Sequence, residues 1–356
     1  MLNNQHILIV IDSLGAGGAE KVTLNLSAAF SQEHYSVDII VIDDIIEYEI
    51  EENITVFKLG FEKGVFDYYR NRRRLHKMVD NLQKHKKYNR IIVHLQKSTR
   101  LMKGYAHPKV IHVVHSTLSQ ASLSNRTGLR RFLKLQRLKS IYDGLTIVTV
   151  SQGIADDIKA LGLSPKKLTV IYNPVDVATL VEKSQASTDC SYDDDYIVYV
   201  GRLAASKRHD RALEAYQKSH VDASFLIVGD GDMREKIAQN VVDLGLQDRV
   251  EMCGYQSNPY PIIKNAKLLV LTSDYEGLPT VLIEALALGV PVVSVDCPSG
   301  PREILGAFMP KSLVPLDDQE ALVNAIQKHL SQKQSIPKAL VARFDPKHIV
   351  LQYLKV

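Results

Sequence analysis

The side chains best placed to do chemistry lie in residues 272–301 (TSDYEGLPTVLIEALALGVPVVSVDCPSGP), where Glu276 and Glu284 bracket seven residues. Pro279 has the fixed φ suited to a first helical position and Gly289 supplies a stop after Leu288, so a short helix is expected between them. Val281, Leu282, Ile283, Ala285, Leu286, Ala287 and Leu288 make that helix apolar on every side. It should be buried, with Glu284 as its one charge. A buried carboxylate is costly without partners. Glu284 therefore meets either a neighbouring Lys or Arg or the hydroxyl groups of a ligand, and the helix alone favours neither. The backbone at the Gly277-Leu278-Pro279-Thr280 end offers free N–H groups to an anion such as a phosphate.

Other candidates sit in loops that follow strands, where open α/β sheets bind ligands. SLGAGGAEK, after the first strand, brings Gly15, Gly17 and Gly18 to a helix N-terminus, where backbone can approach a ligand closely. It is not the dinucleotide fingerprint, because the third glycine of GxGxxG would fall at Glu20. A plain tight turn is the alternative. GRLAASKRH sets Arg202 and Lys207 near one another in a loop, a pairing suited to a diphosphate. VGDGD at 228–232 is a glycine-rich turn that could equally be a simple connection. His115 ends the apolar run VIHVVH, as a ligand-facing imidazole or as an ordinary satisfied core histidine. The run Asp193-Asp194-Asp195 resembles a metal-binding DxD, but it precedes a strand and has linker composition, so no metal is expected.

Stepping outward, apolar strands alternate with helices throughout: strands at 6–12, 37–42, 90–94, 110–115 and 145–150, then at 196–200, 224–228, 250–252, 268–271 and 290–295. Helices are expected at 19–30, 70–83, 209–218 and 233–244, with a last amphipathic one in the tail FDPKHIVLQYLKV. This pattern is a doubly wound α/β fold given twice. The length also suits two domains. The polar stretch 182–195 reads as a linker and places the boundary near residue 180, giving domains at 1–180 and 181–343, with 344–356 packing back toward the first.

The net charge of +4 hides an asymmetry: residues 1–180 hold 25 Lys+Arg against 17 Asp+Glu. Within residues 63–139 there are 20 basic residues and two acids, Asp67 and Asp80. On the helix at 70–83, Leu75, Met78, Val79 and Leu82 share one side, with Arg70, Arg73, Arg74 and Lys77 opposite. With the second basic stretch, 126–139, this points to an anionic membrane surface or a phosphate-bearing lipid. No nucleic-acid module accompanies the charge. No run reaches membrane-spanning length and no signal peptide opens the chain, so a cytoplasmic location is expected, with peripheral association at the inner face of the cell membrane. Cys190, Cys253 and Cys297 are odd in number, far apart and without CxxC, which argues against a disulfide framework and a zinc site.

Taken in order, GAGGAE (15–20), His115, IYNPVD (171–176), GRL with Lys207, VGDGDM, and EGLPTVLIE with its two glutamates resemble a family-4 retaining glycosyltransferase of GT-B fold: two Rossmann-like domains facing a cleft. The match spans nearly the whole chain. It implies a nucleotide-diphosphate sugar held mainly by the C-terminal domain, with Glu276, Arg202, Lys207 and His115 in the catalytic set. Glu284 would accept from the ribose and Arg202 and Lys207 would bind the diphosphate. Glu276 and the backbone of Gly277, Leu278, Pro279 and Thr280 would hold the donor sugar, contacted also by His115. Gly17 and Gly18 would let the N-terminal loop approach phosphates or acceptor. Retention by same-face attack requires no protein nucleophile, and cations with a helix N-terminus can stabilise the leaving diphosphate without a metal or other cofactor. The chain departs from the family after GPREIL (300–305): GAFMPKSLVPLDD stands where a DGxNGxLV-like segment is usual, and Arg302 and Glu303 receive no role.

The expected activity is transfer of a hexose or N-acetylhexosamine from a UDP-sugar to a membrane-associated glycan, such as lipopolysaccharide core or a polyprenyl-linked saccharide. A nucleotide-sugar epimerase, or a non-catalytic interaction protein on the same scaffold, is the alternative. Sugar, linkage, acceptor and oligomeric state depend on pocket shape and are left open.

Overall fold

A computed structural model describes residues 5–15, 17–62, 64, 67–188, 190, 195–332 and 334–356. The chain forms two compact units, one of Met1–Pro174 with Pro346–Val356, the other Val175–Asp345. In the first, β1 (His6–Ile11), β2 (Ser36–Val41), β3 (Ile54–Lys58), β4 (Tyr88–His94), β5 (Val110–Val114), β6 (Thr146–Thr149) and β7 (Lys167–Val170) form one sheet. Its order is β3-β2-β1-β4-β5-β6-β7 and every pairing is parallel. β1 (HILIVI) lies at the reversal of strand order and is buried at each position, which is why it carries no polar alternation.

The second unit repeats the plan with β8 (Tyr196–Val200), β9 (Ser224–Val228), β10 (Val250–Gly254), β11 (Leu268–Leu271), β12 (Val292–Val295) and β13 (Leu313–Val314). The order is β10-β9-β8-β11-β12-β13, again parallel. The order reverses at β1/β4 in one sheet and at β8/β11 in the other. Ligands of doubly wound sheets bind beyond the strand ends at such points.

The division falls at Pro174/Val175, ahead of the expected 180. Val175 N–H donates to the Phe344 carbonyl at 2.9 Å, and Asp176 caps the helix Val177–Lys183 by accepting from the Ala178 and Thr179 amides, so the chain is engaged with its second unit before the polar stretch begins. The helix Pro346–Lys355 belongs to the first unit. Ile349, Val350 and Tyr353 are buried, the Tyr353 ring meets Phe30 edge-on, and Arg90 donates to the Tyr353 and Leu354 carbonyls.

One expectation fails at the cysteines. Cys190 and Cys253 form a disulfide across 63 residues of sequence, with Cα atoms 6.0 Å apart, while Cys297 is free and buried. The reason is topological: residue 190 comes to lie beside β10, and sequence spacing holds no trace of that proximity. Asp193 and Asp194 of the aspartate run lie outside the described residues. Asp195 pairs with Lys267 at 3.1 Å.

Candidate active site

At the β8/β11 reversal, the loop after β8 meets the loop after β11. Lys207 closes a short 3-10 turn (Ala205–Lys207), followed by Arg208 in the left-handed region at φ 52°. That strained residue is held by its surroundings. Its guanidinium pairs with Asp210 at 3.0 Å and Asp274 at 3.1 Å, and its carbonyl accepts from Thr272 Oγ1. The Lys207 carbonyl accepts from Tyr199 Oη at 2.7 Å and from Thr272 Oγ1 at 3.3 Å. Arg211 adds a hydrogen bond to the Thr272 carbonyl and an ion pair to Asp274. These contacts fix the Lys207 backbone, so its side chain points from a rigid base.

The Lys207 ammonium lies 2.6 Å from Glu276 Oε1, with only 25% of the lysine side chain and 10% of the glutamate side chain exposed. Ser273 Oγ donates to the same oxygen at 2.6 Å. Among the described residues Glu276 Oε2 makes no hydrogen bond. Burial on its own works against the charged lysine, but the charge and hydrogen bond of Glu276, with Tyr199, raise its pKa above the usual value, so it stays a cation. Beside the pair, burial and the Glu276 charge push the Cys297 thiol up to about 12, which leaves it protonated and inert.

The helix itself runs Thr280–Ala287, and Pro279 is its N-cap rather than its first helical residue, at φ −72° and ψ 91°. That ψ is extended, so the helical turn starts only after the proline. Among the described residues no side chain caps the end by a hydrogen bond. Glu284 is 3% exposed and is in contact with partners in the fold. Ser299 Oγ donates to the Gly277 carbonyl at 2.8 Å. Gly300, at φ 91°, lets that same loop lie on the 277–279 turn: a Cβ there would stand 2.4 Å from Pro279 Cδ and 2.9 Å from the Gly277 oxygen. Gly300 thus brings the 297–301 loop against the site, just ahead of the segment that departs from the family pattern, and only the close backbone approach discloses it.

Arg202 is separate from the Lys207–Glu276 pair. Its side chain is largely exposed, 3.7 Å from Asp232. The VGDGD turn now has a packing purpose. Gly201 N–H donates to Val228 O and Leu203 N–H to Asp230 O, and a Cβ on Gly229 or Gly231 would stand 2.0 Å from the Gly201 oxygen or 2.5 Å from the Leu203 oxygen. The two glycines thus let the Arg202 loop close onto the β9 loop.

In the first unit, His115 follows β5 with Nε2 2.8 Å from His94 Nδ1 at the end of β4, the rings stacked with centroids 5.0 Å apart. Burial pushes His115 down to about 4, and burial with the neighbouring His115 holds His94 well below its ordinary value. Both are neutral at pH 7, so His115 works as a hydrogen-bonding group and not as a standing cation. His94 was not among the expected residues; its signal is that it ends its strand as His115 ends the neighbouring one. Asp12, at the end of β1, accepts from the Ser98 amide and hydroxyl, both at 2.6 Å, and from the Lys97 amide. Gly17 is the N-cap of the helix Gly18–Gln32, and among the described residues nothing lies within 4 Å of a Cβ built on Gly18.

Two Rossmann-like units, each a parallel sheet with its own reversal point, the second with a cation, a carboxylate and a helix end gathered there, make up the GT-B fold. The description "Glycosyltransferase Family 4" matches residues 16–179 and "Glycosyl transferases group 1" matches 181–343, and the chain belongs to the glycosyltransferase family that these descriptions define. It is 26% identical over 338 residues to the N-acetylgalactosamine-N,N'-diacetylbacillosaminyl-diphospho-undecaprenol 4-alpha-N-acetylgalactosaminyltransferase of Campylobacter jejuni, covering 92% of this chain and 90% of that protein. It is 34% identical over 168 residues to a lipopolysaccharide 1,6-galactosyltransferase of Salmonella typhimurium, covering 44% of this chain and 45% of that one. Its fold is similar to that of Anabaena HepE, solved in complex with UDP, at a TM-score of 0.73 and 18% identity over 98% of each chain. Among the described residues no helix is long and apolar enough to cross a membrane.

Proposed function

We propose that this glycosyltransferase moves a hexose or N-acetylhexosamine, with retention, from a UDP-sugar to a membrane-linked glycan of the lipopolysaccharide or polyprenyl-diphosphate kind. The observation that carries it is the Lys207–Glu276 pair at the β8/β11 reversal. Glu276 Oε1 takes both Lys207 and Ser273, so Oε2 is left for sugar hydroxyls. Lys207, held as a cation, stabilises the departing diphosphate together with the Thr280–Ala287 helix N-terminus, and this requires no metal. Arg202, exposed on its loop, swings to the same phosphates, and Glu284 accepts from the ribose. His115 serves the donor sugar as a neutral hydrogen-bond donor, and Gly17 and Gly18 keep the N-terminal loop open to phosphates or acceptor. The UDP bound to HepE supports the nucleotide. The names of the Campylobacter and Salmonella relatives support the acceptor class, and the basic first half supports contact with a membrane surface and a peripheral, cytoplasmic-face location.

The test is a panel of nucleotide sugars with total membrane glycolipid as acceptor, read by mass spectrometry. A mass increment of one hexose or N-acetylhexosamine on a glycolipid, dependent on a UDP-sugar, is expected. Turnover of the sugar without an acceptor would mean an epimerase instead, and no turnover with any donor would sink the proposal.

A further inference from the structure

We infer that the helix Gly128–Tyr142 is the element that docks this protein on a membrane, laying Leu129, Phe132 and Leu133 into the interface of an anionic leaflet while the cations at their borders meet lipid phosphates. The inference rests on the membrane-linked acceptor proposed above for its purpose alone, because vesicle binding can be measured with neither donor nor acceptor present.

Leu129, Phe132 and Leu133 are 71%, 55% and 58% exposed. At about 100° per residue they fall together on one side of the helix, opposite Leu138, Ile141 and Tyr142, which are buried against the unit. On the same geometry Lys139 borders the apolar patch on one side, and Arg130 and Arg137 border it on the other. Large apolar side chains grouped in this way on a helix are not covered by the fold. The sequence from residue 81 to 142 contains no Asp or Glu. Arg131 donates to the Leu123 carbonyl at 3.0 Å and Arg126 to that of Ser122, whereas among the described residues no ion pair engages Arg130, Lys134, Arg137 or Lys139. Partial burial, and after it the nearby charges of Arg126 and Arg137, pull the Lys134 pKa down.

The other basic helix, Asp67–His85, is less suited to the task. Arg70 and Arg74 pair with Glu62 at 3.0 and 2.9 Å, and Arg74 also bonds the Leu59 and Gly60 carbonyls. Its expected cationic face is therefore partly consumed within the fold, and its outward aromatic, Tyr69, meets the Tyr68 ring edge-on at 5.2 Å. The occupant of the Gly128–Tyr142 face is a lipid surface rather than a second copy of the chain, since two copies would bring cationic borders together with no carboxylate to separate them. Apolar insertion beside basic residues is the chemistry of an interfacial helix on anionic lipid.

The chain contains no tryptophan, so Phe132→Trp provides a single reporter. Its emission should shift to the blue with phosphatidylglycerol–phosphatidylcholine vesicles and stay unchanged with phosphatidylcholine alone. In flotation with the same vesicles, Leu129→Ser/Phe132→Ser/Leu133→Ser should lower partitioning about tenfold or more. Arg130→Gln and Arg137→Gln should each lower it about fivefold and reduce its salt dependence, with Arg73→Gln within about twofold of wild type. All these side chains are exposed, so the melting temperature should hold; Phe132→Ser alone should move partitioning in the same direction and serves as the milder check. Turnover on a water-soluble acceptor should be unchanged in the triple variant, which separates loss of docking from failure of the transferase reading. Equal binding of wild type to neutral and anionic vesicles, full binding by the triple variant, or conversion of a dimer to a monomer by that variant in sedimentation would each overturn the inference.

Discussion

The two units wind their sheets by one rule and gather polar groups at the same topological place, yet the electrostatics differ. At the end of β8 and β11 the groups are charged and paired, Lys207 with Glu276, on a backbone pinned by Tyr199 and Thr272. At the ends of β4 and β5 they are two stacked histidines kept neutral by burial, beside an Asp12 whose pKa burial raises. The contrast supports the proposed division of roles. A leaving diphosphate needs a cation that is already ordered, and a lysine that keeps its charge in a half-closed site supplies one. Neutral imidazoles can orient hydroxyl groups without attracting an anion.

The sharpest way to break that contrast is Lys207→Ala, which should lower kcat/KM for the donor by about 10²–10³-fold, as does removal of one oriented electrostatic group elsewhere. Lys207→Arg should recover little, because a planar fork replaces a point charge held by Glu276 and Ser273. Steady-state kinetics with nucleoside-diphosphate release as readout decides this, and a loss below tenfold would remove Lys207 from the centre of the site. Glu276→Ala leaves the lysine without its buried partner and should also lower stability by about 2 kcal/mol.

The next effect concerns the scaffold. Gly229→Ala sets a Cβ 2.0 Å from the Gly201 carbonyl oxygen, a backbone atom that cannot turn away. Thermal melts should show a loss of about 3 kcal/mol, with donor affinity falling as the Arg202 loop is displaced. Unchanged melting would mean that the two loops are not stitched as described.

Acid should then separate the units. His112 and His115 are pushed down to about 3 and about 4 by burial, and His94 lies well below its ordinary value, all in the first unit; His209, pushed down to about 4, and His329, lowered, belong to the second. A histidine with a depressed folded pKa is fully stabilising above its unfolded value near 6.5, and that stability is lost as pH falls toward the folded value. Each contributes up to about 1.4 kcal/mol per pH unit within that window. Hydrogen exchange at pH 7 and pH 5 should show the first unit losing protection sooner, with His112→Gln reducing the difference.

Much of this architecture is legible in the amino-acid sequence, for a stated reason. β8, β9 and β11 start and stop at the expected residues because each is an unbroken apolar run between turn signals. β3, β7 and β13 were not marked out: β3 and β7 are edge strands with half-exposed patterns, and β13 has two residues. Lys207 and Glu276 were recognisable singly, whereas their 2.6 Å contact spans 69 positions and exists only through the adjacency of β8 and β11. His94, Gly300 and the Cys190–Cys253 link were missed on the same ground, since their significance lies in a neighbour from another element. Pro279 illustrates a finer limit: its φ suits both a first helical residue and a cap, and only ψ, set by the turn before it, separates the two.

The smallest effect tests the glycine loop, where the two units again differ. Gly229 is required by contact with backbone, but among the described residues a Cβ on Gly18 would meet nothing within 4 Å, and Gly18 begins its helix with an ordinary negative φ. Gly18→Ala should therefore leave stability unchanged or raise it by about 0.5 kcal/mol, since alanine loses less chain entropy in a helix. If Gly18 is needed only because substrate approaches the backbone there, KM should rise several-fold in the same variant while the melting temperature holds. Wild-type kinetics would show that the space beside Gly18 is not used, and would leave the binding chemistry to the charged loops of the second unit.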